Sequence, residues 1–490
     1  MSKINKSAID KAVESAMRSW KTPGVAVAVV VGDEEYIQGY GVKEVGTEDP
    51  ITPNSLFAIA SMAKAFTTAA MAILVDEGKM SWDDHPRKHL PYFKLSDPHA
   101  DSLVTMRDLV SHRTGMPRHD ALWSVEERDV EEIVRRYGLA PHSTSFRSTY
   151  EYANVPFSAA GLAVGTVAGG TWQDFLKERI FEPLGMTAVC KVSEAEKSPD
   201  HSHGHVPYKG KVYLVPTPKH DNSTAAGAIN ASATDMSKWI RLHLNDGELG
   251  GPATGSRKRE KQIISKKNLD ETKKPHTVIP VECPDKYGFD GGVHLSTYCM
   301  GWGKDEYRGE IIIGHGGWLR GFTGNVVLIP RIKAGIAVLT NLAVGGESIS
   351  IRNLLLDLLL GLPRRNWPAD YKRLNAAIRK EAQETKAKEA RHTRTKPSHA
   401  LEAYVGDYED PAYGKLTVSL KDGALRMEYG EAKFNLKHFH FNVFTGRHDR
   451  PELWDEIKVQ FTLGADGEVA SIKTIATEFN AEFRKVISHQ

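Results

Sequence analysis

Phe57-Ala58-Ile59-Ala60-Ser61-Met62-Ala63-Lys64-Ala65-Phe66 places one hydroxyl and one amine three residues apart in an otherwise apolar run. On a helix, residues i and i+3 share a face, so the Lys64 side chain reaches Ser61. A serine hydroxyl is a weak nucleophile until a neighbouring base takes its proton. A lysine desolvated by neighbours such as Phe57, Ile59, Met62 and Phe66 is lowered in pKa and becomes such a base. A plain helix start capped by Ser has the same look, so the pair needs support from elsewhere in the chain. It is sharpened by the fact that no other Ser is followed by Lys at the third position.

A chain of 490 residues exceeds what one core usually organises, which predicts two domains, one of them large. With 40% hydrophobic and 26% charged residues and a net charge of +2, the composition is that of a globular protein without a strong field. Nothing in it calls for nucleic acid or an acidic membrane as partner. The three cysteines, Cys190, Cys283 and Cys299, are too scattered for a disulfide framework or a zinc site and read as buried thiols. The N-terminus lacks the apolar run of an export signal, and Val25 to Val31 and Leu354 to Leu362 are too short to span a bilayer. The expectation is a cytoplasmic protein with no membrane partner and no cofactor or metal.

Along the chain, Ala8 to Trp20 predicts a helix, and Val25 to Val31 and Glu35 to Val42 a hairpin turned at Gly32-Asp33. The Ser61 helix runs to Gly78. Met80 to Leu95, rich in Trp, Asp, His and Pro, reads as a surface loop. Helical patterns follow at Met106 to His112, Val130 to Tyr137, Val155 to Val167, Trp172 to Ile180 and Ala233 to Leu244. Gly250 to Lys274 reads as a solvated basic insertion. Strands at Glu310 to Ile313, Gly324 to Ile329 and Gly335 to Thr340, then a helix at Ser348 to Leu360, complete the sheet begun by the hairpin. The fold class is α+β, an antiparallel sheet flanked by helices, in a domain of residues 1–362. Residues 363–399 form a charged, partly helical linker, and 400–490 a small all-β domain with Asp422-Gly423 and Asp466-Gly467 as turns.

Tyr152-Ala153-Asn154 is the only Tyr-x-Asn in the chain. A tyrosine beside a lysine-activated serine relays a proton, and an Asn amide orients a substrate carbonyl or the lysine itself. A buried Tyr and a capping Asn are the plainer alternative. Gly314-His315-Gly316-Gly317-Trp318 follows a strand, where glycine allows close backbone approach and an amide donates to a developing oxyanion; a turn with a structural His fits the pattern equally. His-Gly-Gly also precedes the nucleophile elbow of α/β-hydrolases, but the chain has no Gly-x-Ser-x-Gly. His201, His203 and His205 alternate with Asp200 alongside, which suits a metal less than a solvated loop.

Ser61-x-x-Lys64, Tyr152-x-Asn154 and His315-x-Gly317, in this order, resemble the serine β-lactamase and penicillin-binding-protein superfamily, in its class C form with the related esterases and D-aminopeptidases. Leu109 to Gly115, Pro183 to Met186, Tyr298 to Trp302 and Thr340-Asn341 fit as well, and the C-terminal part resembles a lipocalin-like domain. The resemblance implies Ser61 as acyl-enzyme nucleophile, Lys64 as its base and Tyr152 as proton shuttle. It implies Asn154, His315 and Gly317 as substrate contacts, and the backbone amides of Ser61 and Trp318 as the oxyanion hole. His315 replaces the lysine with which β-lactamases and DD-peptidases bind a carboxylate.

The expected function is therefore hydrolysis of small esters or short peptide amides, D-residues included, with a homo-oligomer as the candidate assembly. The alternatives are a β-lactamase and a non-hydrolytic binding protein. Phe434, His438, Phe439 and Phe441 of the β domain are candidates for shaping access.

Overall fold

Gly24–Val31 (β1) is apolar throughout, and all eight of its residues are buried. Such a strand needs cover on both faces. Ala26, Ala28 and Val30 point into one hydrophobic cluster, and Val25, Val27, Val29 and Val31 into a second on the opposite face. The computed structural model describes residues 4–125, 128–218, 221, 224–249, 261–389, 391–450, 456–475, 479 and 481–486. The sheet around β1 adds Glu34–Gly41 (β2), Thr277–Ile279 (β3), Val293–Tyr298 (β4), Gly303–Tyr307 (β5), Glu310–Leu319 (β6), Phe322–Ile329 (β7) and Ala334–Thr340 (β8). Its order is β2-β1-β8-β7-β6-β5-β4-β3, with Val25 opposite Thr340, so the two ends of the segment meet as expected.

On one face lie the helices Lys6–Trp20 (α1) and, later in the chain, Glu347–Leu360 and Trp367–Lys388. Asn5 caps α1 by accepting from Ala8 N, and Ile9, Val13, Ala16 and Trp20 form its buried stripe. The other face carries Ala63–Asp76 (α2), Val155–Ala168 (α3) and Ala233–Leu244 (α4). Every residue of α2 from Ala63 to Leu74 is buried, as suits a helix enclosed between layers, and Phe66 stacks on Trp239 of α4 at 3.8 Å.

Several expectations are corrected. Met80 to Leu95 is no surface loop: Met80, Trp82, Leu90, Phe93 and Leu95 are buried, because irregular chain lies over the helical layer and inserts its apolar side chains without any period. The basic insertion divides: residues 250–260 lie outside the described residues, but Lys266–Thr272 is a helix whose start bonds to Asp76 of α2 through Ser265 and Asn268. The charged segment after Pro363, expected to be partly helical, is a helix over Trp367–Lys388, and Trp367 and Tyr371 bury its first turns against the sheet-covering helices. Cys190 and Cys299 are buried, whereas Cys283 is half-exposed.

Eight antiparallel strands, Gly406–Asp410 to Glu482–Lys485, close into a barrel, the first pairing with the last through Tyr408 and Lys485. Asp422 and Gly423, both at positive φ, form a two-residue hairpin turn as the sequence predicts. The barrel meets the helical layer through its turns at 410–414 and 429–432. There Arg128 donates to Tyr413 O at 2.6 Å and Glu431 N to Val125 O at 2.8 Å. Phe434 is buried in the barrel, and His438 and Phe439 lie beside Arg391, away from this junction.

Candidate active site

Ser61 sits in a 3₁₀ turn, Ala60–Met62, that runs directly into α2. With about three residues per turn, a 3₁₀ segment eclipses i and i+3, which brings Lys64 over the hydroxyl. Lys64 Nζ is 3.0 Å from Ser61 Oγ, 2.8 Å from Asn154 Oδ1 and 2.9 Å from Ala226 O. Tyr152 Oη donates to Ser61 Oγ at 2.7 Å. Lys64 and Tyr152 thus converge on Ser61, and Asn154 on Lys64, although some ninety residues of chain separate Tyr152 and Asn154 from the serine.

Burial acts in opposite directions on the two titratable partners. It drives the Lys64 ammonium well below its usual pKa; the nearby Arg118 cation adds to this, and Asp120 partly opposes it. It raises the Tyr152 phenol to about 12, against the hydrogen bond to Ser61 and the charge of Arg118. The amine is therefore the group biased toward the neutral, proton-accepting form, and the phenol stays a donor. A neutral amine has two N–H bonds, which match the carbonyl oxygens of Asn154 and Ala226, and a lone pair left for the Ser61 hydroxyl.

Asn154 is 7% exposed, and its amide is used at both ends, accepting from Lys64 and donating to Asp120 Oδ1 at 3.0 Å. Of the two roles its chemistry allows, the geometry places it on the lysine. His315 lies inside a ten-residue strand, β6, and not at a strand end as the sequence predicts. Among the described residues β5 pairs with β6 only up to Gly314, so the edge from His315 onward faces the cleft. His315 Nδ1 is 2.6 Å from Gly316 O, and Nε2 is 3.0 Å from Tyr298 Oη. Nδ1–H therefore donates to the carbonyl and Nε2 accepts from the tyrosine. Burial, with Lys64 nearby, pushes this imidazole down to about 4, so it is neutral at neutral pH.

Gly317 is where β6 touches the Ser61 turn: a Cβ there would lie 2.2 Å from Ile59 O. The close approach sets the backbone at Gly317 and Trp318 beside the Ser61 turn, while the Trp318 side chain is 64% exposed. Four groups escaped sequence reasoning as site components. His112 is fully enclosed, its ring 4.1 Å from that of Tyr152, and burial holds it well below its usual pKa. Tyr298 orients His315. Arg118 lies 5.2 Å from the Tyr152 ring and pairs with Asp120 at 2.6 Å. His112 and Tyr298 lie in segments that the resemblance flagged; Arg118 and Asp120 carry no sequence signal.

A cavity of about 180 Å³ opens beside His315, lined by Tyr150, Tyr152 and Tyr298 and, further in, by Asp305 and Arg352. Of the alternating histidines, His205 is buried with both ring nitrogens engaged, Nδ1 2.9 Å from Asn341 O and Nε2 accepting from Val45 N at 3.0 Å. Cys283, Asp290 and His294 bring ligand-type atoms within 4.8 Å of one another, a grouping not foreseen from the scattered cysteines. It lies on the loop entering β4, where the Cys283 thiol donates to Asp290 at 3.0 Å.

An antiparallel sheet flanked by helices, with a Ser-x-x-Lys turn beneath an open strand edge, is the architecture of β-lactamase-like and transpeptidase-like proteins. Residues 9–360 match the beta-lactamase family, and the chain belongs to it. Residues 390–488 match DUF3471, a domain of unknown function. The chain is 27% identical over 471 residues to the unguisins hydrolase of Aspergillus violaceofuscus, spanning 87% of this chain and 79% of that protein. It is 25% identical to the Staphylococcus aureus (strain N315) protein flp, over 68% of this chain and 62% of the other. In fold it is similar to the octameric penicillin-binding protein homologue of Pyrococcus abyssi, with a TM-score of 0.62, 22% identity and coverage of 98% and 99%. It is likewise similar to the D-amino acid amidase of Ochrobactrum anthropi SV3, with a TM-score of 0.57, 21% identity and coverage of 72% and 97%. Among the described residues no helix is long and apolar enough to cross a membrane.

Proposed function

We propose that the chain is a serine hydrolase that cleaves small esters or short peptide amides, D-residues included, through an acyl-enzyme on Ser61. The observation that carries this is the hydroxyl held between a lysine biased toward the neutral amine, at 3.0 Å, and a neutral tyrosine, at 2.7 Å. Lys64 takes the Ser61 proton as Oγ attacks the carbonyl carbon. The amides of Ser61 and Trp318 receive the oxyanion, and Tyr152 gives its proton to the leaving group and is reprotonated by the proton that Lys64 took from Ser61. Water then repeats the attack on the ester carbon and frees Ser61. The relatives named hydrolase and amidase support the reaction class.

The test is parallel incubation with p-nitrophenyl esters of short acids, D- and L-Ala-p-nitroanilide and nitrocefin, with Ser61→Ala as control. Fast Ser61-dependent release from esters or D-amides is the expected result, and wild-type turnover by Ser61→Ala would sink the reading. A β-lactamase is the second reading. The neutral His315, with both ring nitrogens engaged, speaks against it because it offers no cation to a penicillin carboxylate. A non-hydrolytic binding protein would leave Ser61 unlabelled by a serine-directed fluorophosphonate. In this reading residues 1–362 form the hydrolase unit, and 363–399 connect it to the barrel unit of 400–490. The octameric Pyrococcus relative supports a homo-oligomer, which light scattering would test.

A further inference from the structure

We infer that the C-terminal barrel is part of the catalytic apparatus, with Tyr413 as a positioning residue that sets the charged pair Arg118 and Asp120 against Lys64. The inference rests on the serine hydrolase reading above.

Arg118, His119 and Asp120 are consecutive, yet each engages a different part of the molecule. The Arg118 guanidinium covers the Tyr152 ring, and Asp120 accepts from Asn154, whose other end holds Lys64 at 2.8 Å. Those two charges are the ones that act on the Lys64 amine, in opposite senses. Between them His119 faces away from the site and is 7% exposed. Its φ is +49°, a left-handed conformation disfavoured for a residue with a side chain, so it persists only where the surroundings impose it.

Two hydrogen bonds impose it here. His119 Nε2 lies 3.1 Å from Pro141 O, which can only accept, so Nε2 carries the proton. Nδ1 is then the acceptor for the Tyr413 hydroxyl at 2.8 Å. Tyr413 comes from the barrel and is 1% exposed. Its own backbone is clamped by Arg128, which donates to Tyr413 O at 2.6 Å and to Leu122 O at 3.0 Å. One continuous path therefore runs from the barrel to the amine: Tyr413 to His119 by hydrogen bond, His119 to Asp120 through the backbone, and Asp120 to Asn154 to Lys64 by hydrogen bonds. Loss of the Tyr413 hydroxyl leaves the His119 ring held by Pro141 O alone and loosens the left-handed turn, which lets Asp120 shift against Asn154.

The sign of the effect follows from the charges. Asp120 raises the Lys64 pKa, so displacing it lowers that pKa. The experiment is a kcat and KM pH profile for p-nitrophenyl butyrate on the full chain, comparing Tyr413→Phe, Asp120→Asn, the double variant and Tyr429→Phe. Tyr429→Phe removes a hydroxyl from the same junction, one that bonds Tyr413 O and Ala121 O and not His119. Tyr413→Phe is expected to keep KM, lose roughly ten-fold in kcat, the scale of one orienting hydrogen bond, and move the acidic limb to lower pH. Asp120→Asn should move the limb the same way, the double variant no further, and Tyr429→Phe should leave it in place.

A wild-type profile in Tyr413→Phe overturns the inference, as does a kcat loss with an unmoved limb that Tyr429→Phe reproduces. Rate of Ser61 labelling by a neutral fluorophosphonate, measured on the same variants, separates the two readings. A wild-type rate in Tyr413→Phe defeats only the barrel's role, whereas a wild-type protein with no Ser61 label defeats the hydrolase reading and this inference with it.

Discussion

Gly317 and Ile59 approach so closely that the glycine's missing Cβ would lie 2.2 Å from the Ile59 carbonyl oxygen. This contact couples the strand edge to the nucleophile turn. Gly317→Ala must push β6 away from Ser61 by most of an ångström, and a displacement of that size costs about 100-fold in rate when reacting groups are misplaced. We expect a folded protein with kcat reduced by about that factor for the best ester found, against an unchanged circular dichroism spectrum.

Tyr152 is a donor because burial holds its phenol near 12. Tyr152→Phe removes that proton and keeps the ring against His112. Turnover should fall by roughly 10²- to 10⁴-fold, the range for a lost acid/base group. Esters with a good leaving group, such as p-nitrophenol, should suffer less than alanine amides, and a uniform loss across both would argue against leaving-group protonation.

As the proposed base, Lys64 works only when neutral, so activity is expected to rise as pH passes its pKa. Burial lowers that pKa first and Arg118 second. Arg118→Gln removes a cation, which lets the pKa rise and shifts the acidic limb of kcat/KM to higher pH. The loss is therefore largest at low pH and shrinks toward the plateau. A limb that stays put or moves down would contradict the assignment of Lys64 as the titrating group.

His315 gives its one N–H to Gly316 O and stays neutral, so it supplies no cation to the strand edge. His315→Lys supplies one. Acylation by nitrocefin, read as the rate of Ser61 labelling, should increase by roughly ten- to hundred-fold, the value of a hydrogen bond to a charged group. Ester turnover should not share in the gain.

Much of the fold was legible because its signals are local. Val130 to Tyr137 and Ala233 to Leu244 form helices with the bounds their apolar period predicts. The Ser61–Lys64 pair was legible because two side chains three residues apart need only one turn of chain to meet. Met80 to Leu95 was misread because irregular chain has no period, so polar residues at its surface masked the large apolar side chains it buries. Arg118 and Asp120 were invisible for a related reason: their importance comes from Asn154, a loop away, and His119 is held by a tyrosine 294 positions further on.

The sequence by itself determined which groups are available: a serine hydroxyl with an amine at helical reach, a single Tyr-x-Asn, and a glycine-rich strand bearing a histidine. Tertiary structure alone decided their protonation and aim. Whether Lys64 is an amine or an ammonium depends on complete burial and on Arg118 and Asp120 nearby, and desolvation and Coulomb terms act through space between residues the chain order keeps apart.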